Sequence, residues 1–547
     1  MAKVTFAQEM YFPLQSTQAL SAYLKHAGHE VDLAIGSASE IVDYIKRNPT
    51  DLVAFSVLTA YRNHMLATAD ALKEAGIRTP LIAGGYDITF MPHILKYSAL
   101  DIICLGEGGD PIVELCKALD EGKDFRELKI GNLHVKLNDG TIVNNPMRYW
   151  LMNLDSAPFD DREIYWQKDP YFRIIPFAQV LAGRGCPYPC TYCFNDGYKK
   201  IHQAAGMKGS EYTNLRSPEN VIEELKMLAE KYKPRDFFFN DSTLTYNRKW
   251  IIAFCEAYRQ SGLKQTFSVN GVIPEMNEDV CKALASTKKC RLVRFGLETG
   301  NEKFRIHTLR KSIRDQQLID GTNLLNKYNL RYSMQMMLGL PGETYEYAWD
   351  TINMARKITG IKGVHGINIF KPFPGLEINN VGIELGEYQA SDVVAPGSVP
   401  PPTWRQEAYE DQAETKKEVD LPSDEAYLAS RKQMAKTGAG AVSAAMPANH
   451  GVEGTDKFGT TKMVFFDNYR RDKLGLKILK LSRYSHLAIR FPGLKPIIEK
   501  IIELPDNSFN RLAWTATEGL LNIRVHAAAP WSYFVKYFLF HREKQVR

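Results

Sequence analysis

Short apolar segments alternate with amphipathic stretches over about the first 120 residues of the chain. Five buried strands are predicted, at residues 4–6, 31–35, 52–57, 81–83 and 102–105. Strands that alternate with helices predict a doubly wound parallel sheet, whose ligands bind beyond the carboxyl ends of its strands. A small hairpin is also predicted around the turn Asn138-Asp139-Gly140.

The same alternation resumes on a larger scale from about residue 176. Six more strands are predicted, at residues 179–182, 236–239, 266–269, 292–296, 333–338 and 366–370. Ser217 and Pro218 are suited to begin one intervening helix, as its N-cap and first helical residue. Six strand–helix units predict a parallel barrel or partial barrel, with its chemistry at the carboxyl ends of the strands.

The C-terminal third of the chain has a different character. Residues 388–460 are rich in Pro, Gly and Ala and predict an irregular arm. Residues 461–547 carry 16 Lys and Arg against 7 Asp and Glu, and include the aromatic run at 531–540. Two interpretations of these basic helices remain open: they cap the barrel, or they lie on an anionic membrane surface. We favour the first.

The composition is that of a soluble globular protein with several domains. The chain has 547 residues, of which 44% are hydrophobic and 24% charged, and its formal net charge is +6. The N-terminal segment does not resemble a secretory signal, and no apolar run is long enough to span a membrane. We therefore expect a cytoplasmic protein. No nucleic-acid recognition motif accompanies the basic residues.

Three of the 8 cysteines lie close together, in a C-x3-C-x2-C loop that follows a predicted strand. Thiolates of Cys186, Cys190 and Cys193 can hold three corners of a [4Fe–4S] cluster and leave the fourth iron open. The alternative is a structural zinc site, which requires a fourth ligand such as His202. The other five cysteines lie in apolar contexts and are interpreted as packing residues.

This loop, with the aromatic Tyr192 before its third cysteine, resembles the signature of the radical S-adenosylmethionine (SAM) superfamily. The resemblance implies that the open iron binds SAM, and that one electron cleaves SAM to methionine and a 5′-deoxyadenosyl radical, which removes hydrogen from an unactivated carbon. Further stretches resemble the family in the same order, at 239–242, 295–300, 338–344 and 370–375. By this resemblance Tyr192, Asp241 and Glu298 are expected to contact SAM, although the family's usual Gly-Gly-Glu is absent near Asp241.

The loops after strands three to five of the first sheet resemble those of cobalamin-binding domains. The resemblance implies that small residues and glycines line a slot for the cofactor; they are Ser56, Thr59, Gly84, Gly85, Gly106, Glu107 and Gly108. No G-x-G-x-x-G follows the first strand, which disfavours NAD or FAD. The loop at residues 7–13 lacks a histidine, so cobalamin is expected without a histidine ligand. The alternative is a scaffold that has lost cobalamin.

The sequence therefore predicts an α/β protein with five segments. These are a Rossmann-like cobalamin-binding domain (1–130), a connection (131–175), a partial (β/α)6 TIM-like radical SAM barrel (176–385), an irregular arm (386–462) and a helical basic region (463–547). The expected cofactors are a [4Fe–4S] cluster, SAM and cobalamin. The expected partners are a small-molecule or lipid-like substrate and an electron donor such as flavodoxin or ferredoxin.

The favoured function is C-methylation through methylcobalamin. One alternative is an oxidative cyclase or rearrangement enzyme that uses cobalamin without methyl transfer. A second alternative, of another class, is a non-catalytic cobalamin- or metal-binding sensor or carrier, which has no need for a cysteine loop open to SAM.

Overall fold

A computed structural model describes residues 1–150, 152–358, 363–387 and 473–503. The chain divides into two compact units, each assembled from several stretches. Unit one comprises Met1–Tyr165, Pro189–Tyr212 and Lys371–Arg470, and unit two comprises Trp166–Tyr188, Thr213–Phe370 and Arg471–Arg547. The predicted arm, apart from residues 386 and 387, and the aromatic run at 531–540 lie outside the described residues.

Unit one contains a seven-stranded sheet in the order β2-β1-β3-β4-β5-β6-β7. Its strands are β1 (Lys3–Gln8), β2 (Glu30–Ile35), β3 (Leu52–Ser56), β4 (Leu81–Gly84), β5 (Ile102–Cys104), β6 (Leu133–Lys136) and β7 (Ile142–Asn144). The first five strands are parallel, as predicted, and their apolar side chains are buried because helices cover both faces. The predicted hairpin forms as β6 and β7, and it pairs antiparallel with β5.

Unit two contains a parallel six-stranded sheet in the order β15-β14-β13-β12-β11-β8, which curves into a half-barrel. Its strands are β8 (Phe177–Val180), β11 (Asp236–Phe239), β12 (Thr266–Asn270), β13 (Cys290–Glu298), β14 (Tyr332–Leu338) and β15 (Gly363–Ile369). A separate two-stranded ribbon pairs β9 (Gly183–Arg184) with β10 (Asn214–Leu215). All six predicted barrel strands are confirmed, because each carries the apolar alternation that packs one face against helices.

Sixteen α-helices lie in the described residues. In chain order they are α1 (Gln15–His26), α2 (Ala38–Arg47), α3 (Arg62–Glu74), α4 (Tyr86–Phe90), α5 (Ile94–Tyr97), α6 (Gly109–Asp120), α7 (Glu163–Trp166), α8 (Phe194–Ala204), α9 (Pro218–Lys231), α10 (Arg248–Gln260), α11 (Glu278–Ser286), α12 (Asp315–Lys327), α13 (Tyr345–Ile358), α14 (Asn379–Glu384), α15 (Lys473–Arg490) and α16 (Lys495–Glu503). Ser217 caps α9 as predicted, because its Oγ accepts the N–H of Asn220 at 3.2 Å.

The C-terminal helix α15 packs on the half-barrel of unit two. Ile478 and Leu481 are fully buried in the same apolar core as the strands. Lys480 is also buried, and its ammonium donates to the carbonyl of Ile502 at 3.0 Å. In this helix the apolar stripe therefore covers the barrel, as favoured from the sequence. Among the helices that the structure describes, none combines the length and the apolar character needed to cross a membrane.

Candidate functional site

The predicted cobalamin residues lie at one edge of the sheet in unit one. Ser56 and Gly84 end the neighbouring strands β3 and β4 at the same register position, and Gly106 follows β5. Thr59 begins a short turn after β3, and Gly108 immediately precedes α6. Because parallel strands end at a common edge, residues that are far apart in sequence are brought together there.

Two of these glycines are required by the backbone. Gly85 has φ +107°, and a Cβ at this position would lie 2.8 Å from the carbonyl oxygen of Val57. Gly106 has φ +72°, and its N–H donates to Thr89 Oγ1 at 3.1 Å. The carbonyl of Glu107 accepts from Asn132 Nδ2 at 2.7 Å, which ties the same loop to the start of the hairpin. The loops are therefore held close together by glycine geometry and specific hydrogen bonds.

The loop after β1 offers no histidine, as the sequence indicates. Gln8 organises this loop instead: its Nε2 donates to the carbonyl of Phe12 at 3.1 Å, and its Oε1 accepts from Tyr165 at 2.6 Å. His64 lies in α3 with its Nε2 2.9 Å from the carbonyl oxygen of Gly36, which fixes its tautomer as the Nε2–H form. Burial lowers the pKa of His64, so the ring is neutral. It is an ordinary helix residue of the fold.

All eight cysteines are free thiols, which fits their predicted division into ligands and packing residues. Cys190 is buried, whereas Cys186 and Cys193 are partly exposed. Burial raises the pKa of the remaining five thiols, so they stay protonated: the pKa rises to about 12 for Cys104, Cys116, Cys281 and Cys290, and well above its ordinary value for Cys255. Tyr192, which lies between Cys190 and Cys193 in the sequence, is partly buried.

In unit one, the end of the cysteine loop is ordered by α8. Cys193 precedes this helix, and its N–H donates to the carbonyl of Cys190 at 3.1 Å. Asn195 Nδ2 donates to Cys193 Sγ at 3.7 Å, and Asn195 Oδ1 accepts from the Tyr212 hydroxyl at 3.2 Å. Amide donors to a ligating sulfur influence the reduction potential of an iron–sulfur cluster. The sequence analysis missed Asn195, whose position two residues after Cys193 is the only signal for it.

In unit two, Glu275 anchors the beginning of the cysteine loop. Its carboxylate accepts from the Tyr188 hydroxyl at 2.5 Å and from Thr243 Oγ1 at 2.9 Å. Thr245 and the N–H of Val272 donate to the same carboxylate. Tyr188 lies two residues after Cys186, and both threonines follow β11. One carboxylate therefore joins the cysteine loop to the loops after β11 and β12, and the sequence gives no indication of it.

Asp241 follows β11, at the strand end where it was predicted. Both oxygens of its buried carboxylate lie 3.1 Å from the N–H of Ala182, which leads into the cysteine loop. Burial raises the pKa of Asp241 to about 6, although hydrogen bonds from backbone N–H groups oppose this shift. In this structure the side chain supports the polypeptide before Cys186, and its contact with SAM stays a prediction.

Glu298 ends β13 in a conformation that is unusual for a residue with a side chain. Its φ is +64°, and the pairing with β14 shifts register at this position. Its Oε1 lies 3.1 Å from Lys311 Nζ, and the two side chains are only 12% and 10% exposed. The buried guanidinium of Arg305 holds this segment by donating to the carbonyls of Thr299 and Ile313. Strained residues that their surroundings hold in place are typical of functional sites.

The zinc alternative, with His202 as a fourth ligand, receives no support from side-chain positions. His202 is 1% exposed and lies against the rings of Trp150 and Tyr198, at 4.9 and 4.7 Å between centroids. Burial lowers its pKa to about 4. Among the described residues, no three His, Cys, Asp or Glu side chains, the three cysteines of the loop included, are placed to share one metal ion.

A cavity of about 690 Å³ in unit two contains none of the predicted site residues. It is bordered by α12, α13 and the C-terminal helices; its lining includes Gly300, Asp315, Asp350, Met354 and Ile489. Because its lining includes none of the residues to which the sequence analysis assigns the chemistry, this cavity is not a candidate for the chemistry.

Comparison with protein families matches two parts of the chain. Residues 180–355 match the radical SAM superfamily, and residues 13–116 match the B12 binding domain. Over 358 residues the chain is 28% identical to an uncharacterized methyltransferase of Pyrococcus horikoshii, covering 64% of this chain and 74% of that protein. It is 26% identical to the anaerobic magnesium-protoporphyrin IX monomethyl ester cyclase of Rubrivivax gelatinosus, covering 62% and 60%.

Solved structures share the architecture at low sequence identity. The radical SAM methyltransferase TsrM from Kitasatospora setae superposes with a TM-score of 0.60 at 15% identity, covering 97% of this chain and 100% of that one. The cobalamin-dependent radical SAM enzyme OxsB gives 0.57 at 13% identity, covering 100% and 75%. The two family matches show that the chain contains a radical SAM domain preceded by a B12-binding domain, and the solved structures share its fold.

Proposed function

We propose that this chain is a cobalamin-dependent C-methyltransferase that acts on an unactivated carbon. The observation that carries the proposal is the set of three free thiols within eight residues, in a chain that also presents the glycine-lined edge of a B12-binding domain. Three cysteine thiolates fit three corners of a [4Fe–4S] cluster. With SAM bound, such a cluster supplies the 5′-deoxyadenosyl radical when it receives one electron from a donor such as flavodoxin or ferredoxin.

The residues of the chain have distinct tasks in this proposal. Cys186, Cys190 and Cys193 hold the cluster, with Asn195 donating to the last sulfur. Tyr192, Asp241 and Glu298 are the proposed contacts of SAM, and Lys311 keeps the Glu298 carboxylate in place. In unit one, the proposed contacts of cobalamin are Ser56, Thr59, Gly84, Gly85, Gly106, Glu107 and Gly108.

Methyl transfer is favoured over the other uses of cobalamin by the similarity to the Pyrococcus horikoshii methyltransferase, which at 28% identity exceeds the 26% identity to the Rubrivivax cyclase. The loop after β1 would contact cobalamin without an imidazole. Gln8 hydrogen-bonds within this loop, and the ring of His64 is held by the Gly36 carbonyl. Cobalamin held without a histidine ligand would supply a methyl group for transfer to a carbon radical. The similarity to the Rubrivivax cyclase favours a second candidate, oxidative cyclisation without methyl transfer.

Product analysis under anaerobic conditions separates the two candidates. The enzyme is reconstituted with iron, sulfide and cobalamin, supplied with SAM and a reductant, and assayed against candidate substrates. Methylation yields 5′-deoxyadenosine and S-adenosylhomocysteine in equal amounts, whereas cyclisation yields 5′-deoxyadenosine without substrate-dependent S-adenosylhomocysteine. The triple variant Cys186→Ala/Cys190→Ala/Cys193→Ala should lose the iron and both products. If this variant retains about four irons per chain, the proposed cluster site is wrong.

A further inference from the structure

The inner face of the half-barrel in unit two carries several polar side chains among apolar ones, in contrast to its outer face. Alternate residues of β13 and β14 pack against the helices, for example Phe295 and Met334. The residues between them point to the other face because side chains alternate along a strand. This inner face includes Phe238, Asn270, Arg294, Ser333, Gln335 and Asn368. Asn270 and Gln335 already donate to Asp241 and Ser333, whereas Arg294 Nε has no partner, so an apolar substrate would leave this buried donor unsatisfied.

Arg294 lies on this face, and its guanidinium is held in a fixed orientation. Its Cζ lies 3.5 Å from the centre of the Phe238 ring, a cation–π stack, and one Nη2–H donates to the carbonyl of Phe239 at 2.8 Å. These two contacts come from β11, across the intervening strand β12. The planar group is therefore oriented in advance, which suits the two-point recognition of an anion.

The charge of Arg294 has no carboxylate partner among the described residues. Asp236 is the acid whose charge acts on it, and the oxygens of Asp236 already accept from Arg291 at 2.8 Å, Ser268 at 3.0 Å and Thr266 at 2.7 Å. Glu298, two positions further along the same face, is paired with Lys311. Arg294 Nε is buried and makes no hydrogen bond, which is unfavourable for a buried donor. Burial also lowers the pKa of Arg294 to about 10, which leaves the group charged at neutral pH.

From this arrangement we propose that the substrate carries an anionic group, a carboxylate or a phosphate, that Arg294 binds on the inner face of the half-barrel. The inference rests on the proposed function and adds the chemical class of its substrate. The ion pair would supply the missing partner of the guanidinium and orient the substrate along β13. Arg294 is here a binding residue, with no part in bond making or bond breaking.

Matched small probes test the charge preference without knowledge of the substrate. Binding of phenylacetate, phenyl phosphate and the neutral phenylacetamide to the reconstituted enzyme with SAM is measured by ligand-observed NMR. Either anion should bind at least about tenfold more tightly than the amide, since a charge-assisted hydrogen bond contributes about that much. The tighter of the two anions identifies the carboxylate or the phosphate as the source.

Two variants assign the preference to the residue. Arg294→Gln should abolish it, and Arg294→Lys should retain part of it, because a lysine keeps the charge but not the planar fork. Arg291→Gln is the matched control, since Arg291 lies on the same strand but is already paired with Asp236. Equal binding of amide and anions by the unmodified enzyme, no binding of either anion, or an unchanged preference in Arg294→Gln each overturns the proposal.

Iron content and SAM cleavage without substrate, measured on the same preparations, report on the proposed function separately. A preparation that cleaves SAM but shows no anion preference refutes only the substrate class. Anion preference in a protein that binds no cluster refutes the proposed function and leaves the anion site standing.

Discussion

Removal of one hydroxyl, in Tyr188→Phe, tests whether Glu275 holds the beginning of the cysteine loop. The hydrogen bond from Tyr188 to the Glu275 carboxylate is 2.5 Å long, and bonds of this kind to a charged acceptor contribute about 1.5–3 kcal/mol. The other three donors all reach Oε2, so the carboxylate stays anchored, while Oε1 loses the Tyr188 hydroxyl and the loop loses this tie. Local opening of the loop should therefore become roughly tenfold to a hundredfold more frequent.

The assay follows loss of the cluster from reconstituted protein in the presence of an iron chelator, by the decay of its visible absorption. Tyr188→Phe should lose iron faster than the unmodified protein by about the same factor, while thermal unfolding of the cluster-free protein changes little. Tyr44→Phe is the matched control, because the Tyr44 hydroxyl also donates to a carboxylate, that of Asp32 on the outer strand β2 of unit one. Equal rates of iron loss in Tyr188→Phe and the unmodified protein would refute the role of Glu275.

Three further predictions concern stability and can be measured on the cluster-free protein. The pKa of Asp241 is about 6 in the folded state, above its ordinary value of 3.8, so the folded state retains a proton that the unfolded state loses. The free energy of unfolding should therefore fall by about 2–3 kcal/mol as pH rises from 4 to 6. In urea unfolding, Asp241→Asn should remove this pH dependence. The pKa of His202 is lowered to about 4, so its contribution to the free energy of unfolding is complete above pH 6.5 and is lost, by about 3 kcal/mol, as pH falls toward 4. His202→Gln should flatten this acid side of the plot of stability against pH, whereas substitution of the exposed His26 should not. Gly85→Ala should destabilise unit one by about 2 kcal/mol or more in thermal unfolding. Gly122→Ala should cost less, because both glycines have a positive φ but only Gly85 lies close to another backbone segment. Equal effects of the two substitutions would contradict the close approach of Gly85 to Val57.

The sequence by itself determined the two sheets and the cysteine loop that is proposed to hold the cluster. Strand and helix periods are local properties, so eleven parallel strands could be predicted from the spacing of apolar residues. The spacing of Cys186, Cys190 and Cys193 is local as well, and three thiols within eight residues already specify a cluster loop. The glycine-rich turns after β4 and β5 are visible for the same reason, since a tight turn requires glycine at a particular position.

Only the tertiary structure decided which side chains support these residues. Glu275 meets Tyr188 across 87 residues, and Arg294 meets Phe238 because the sheet order places β11 and β13 on either side of β12. Asp241 was predicted at its strand end, but its engagement with the backbone of Ala182 depends on the pairing of β8 with β11. Contacts of this kind have no period and no fixed spacing in the sequence. They arise where strands that are distant in the chain become neighbours, and hydrogen-bonding demands on buried groups then select the partners.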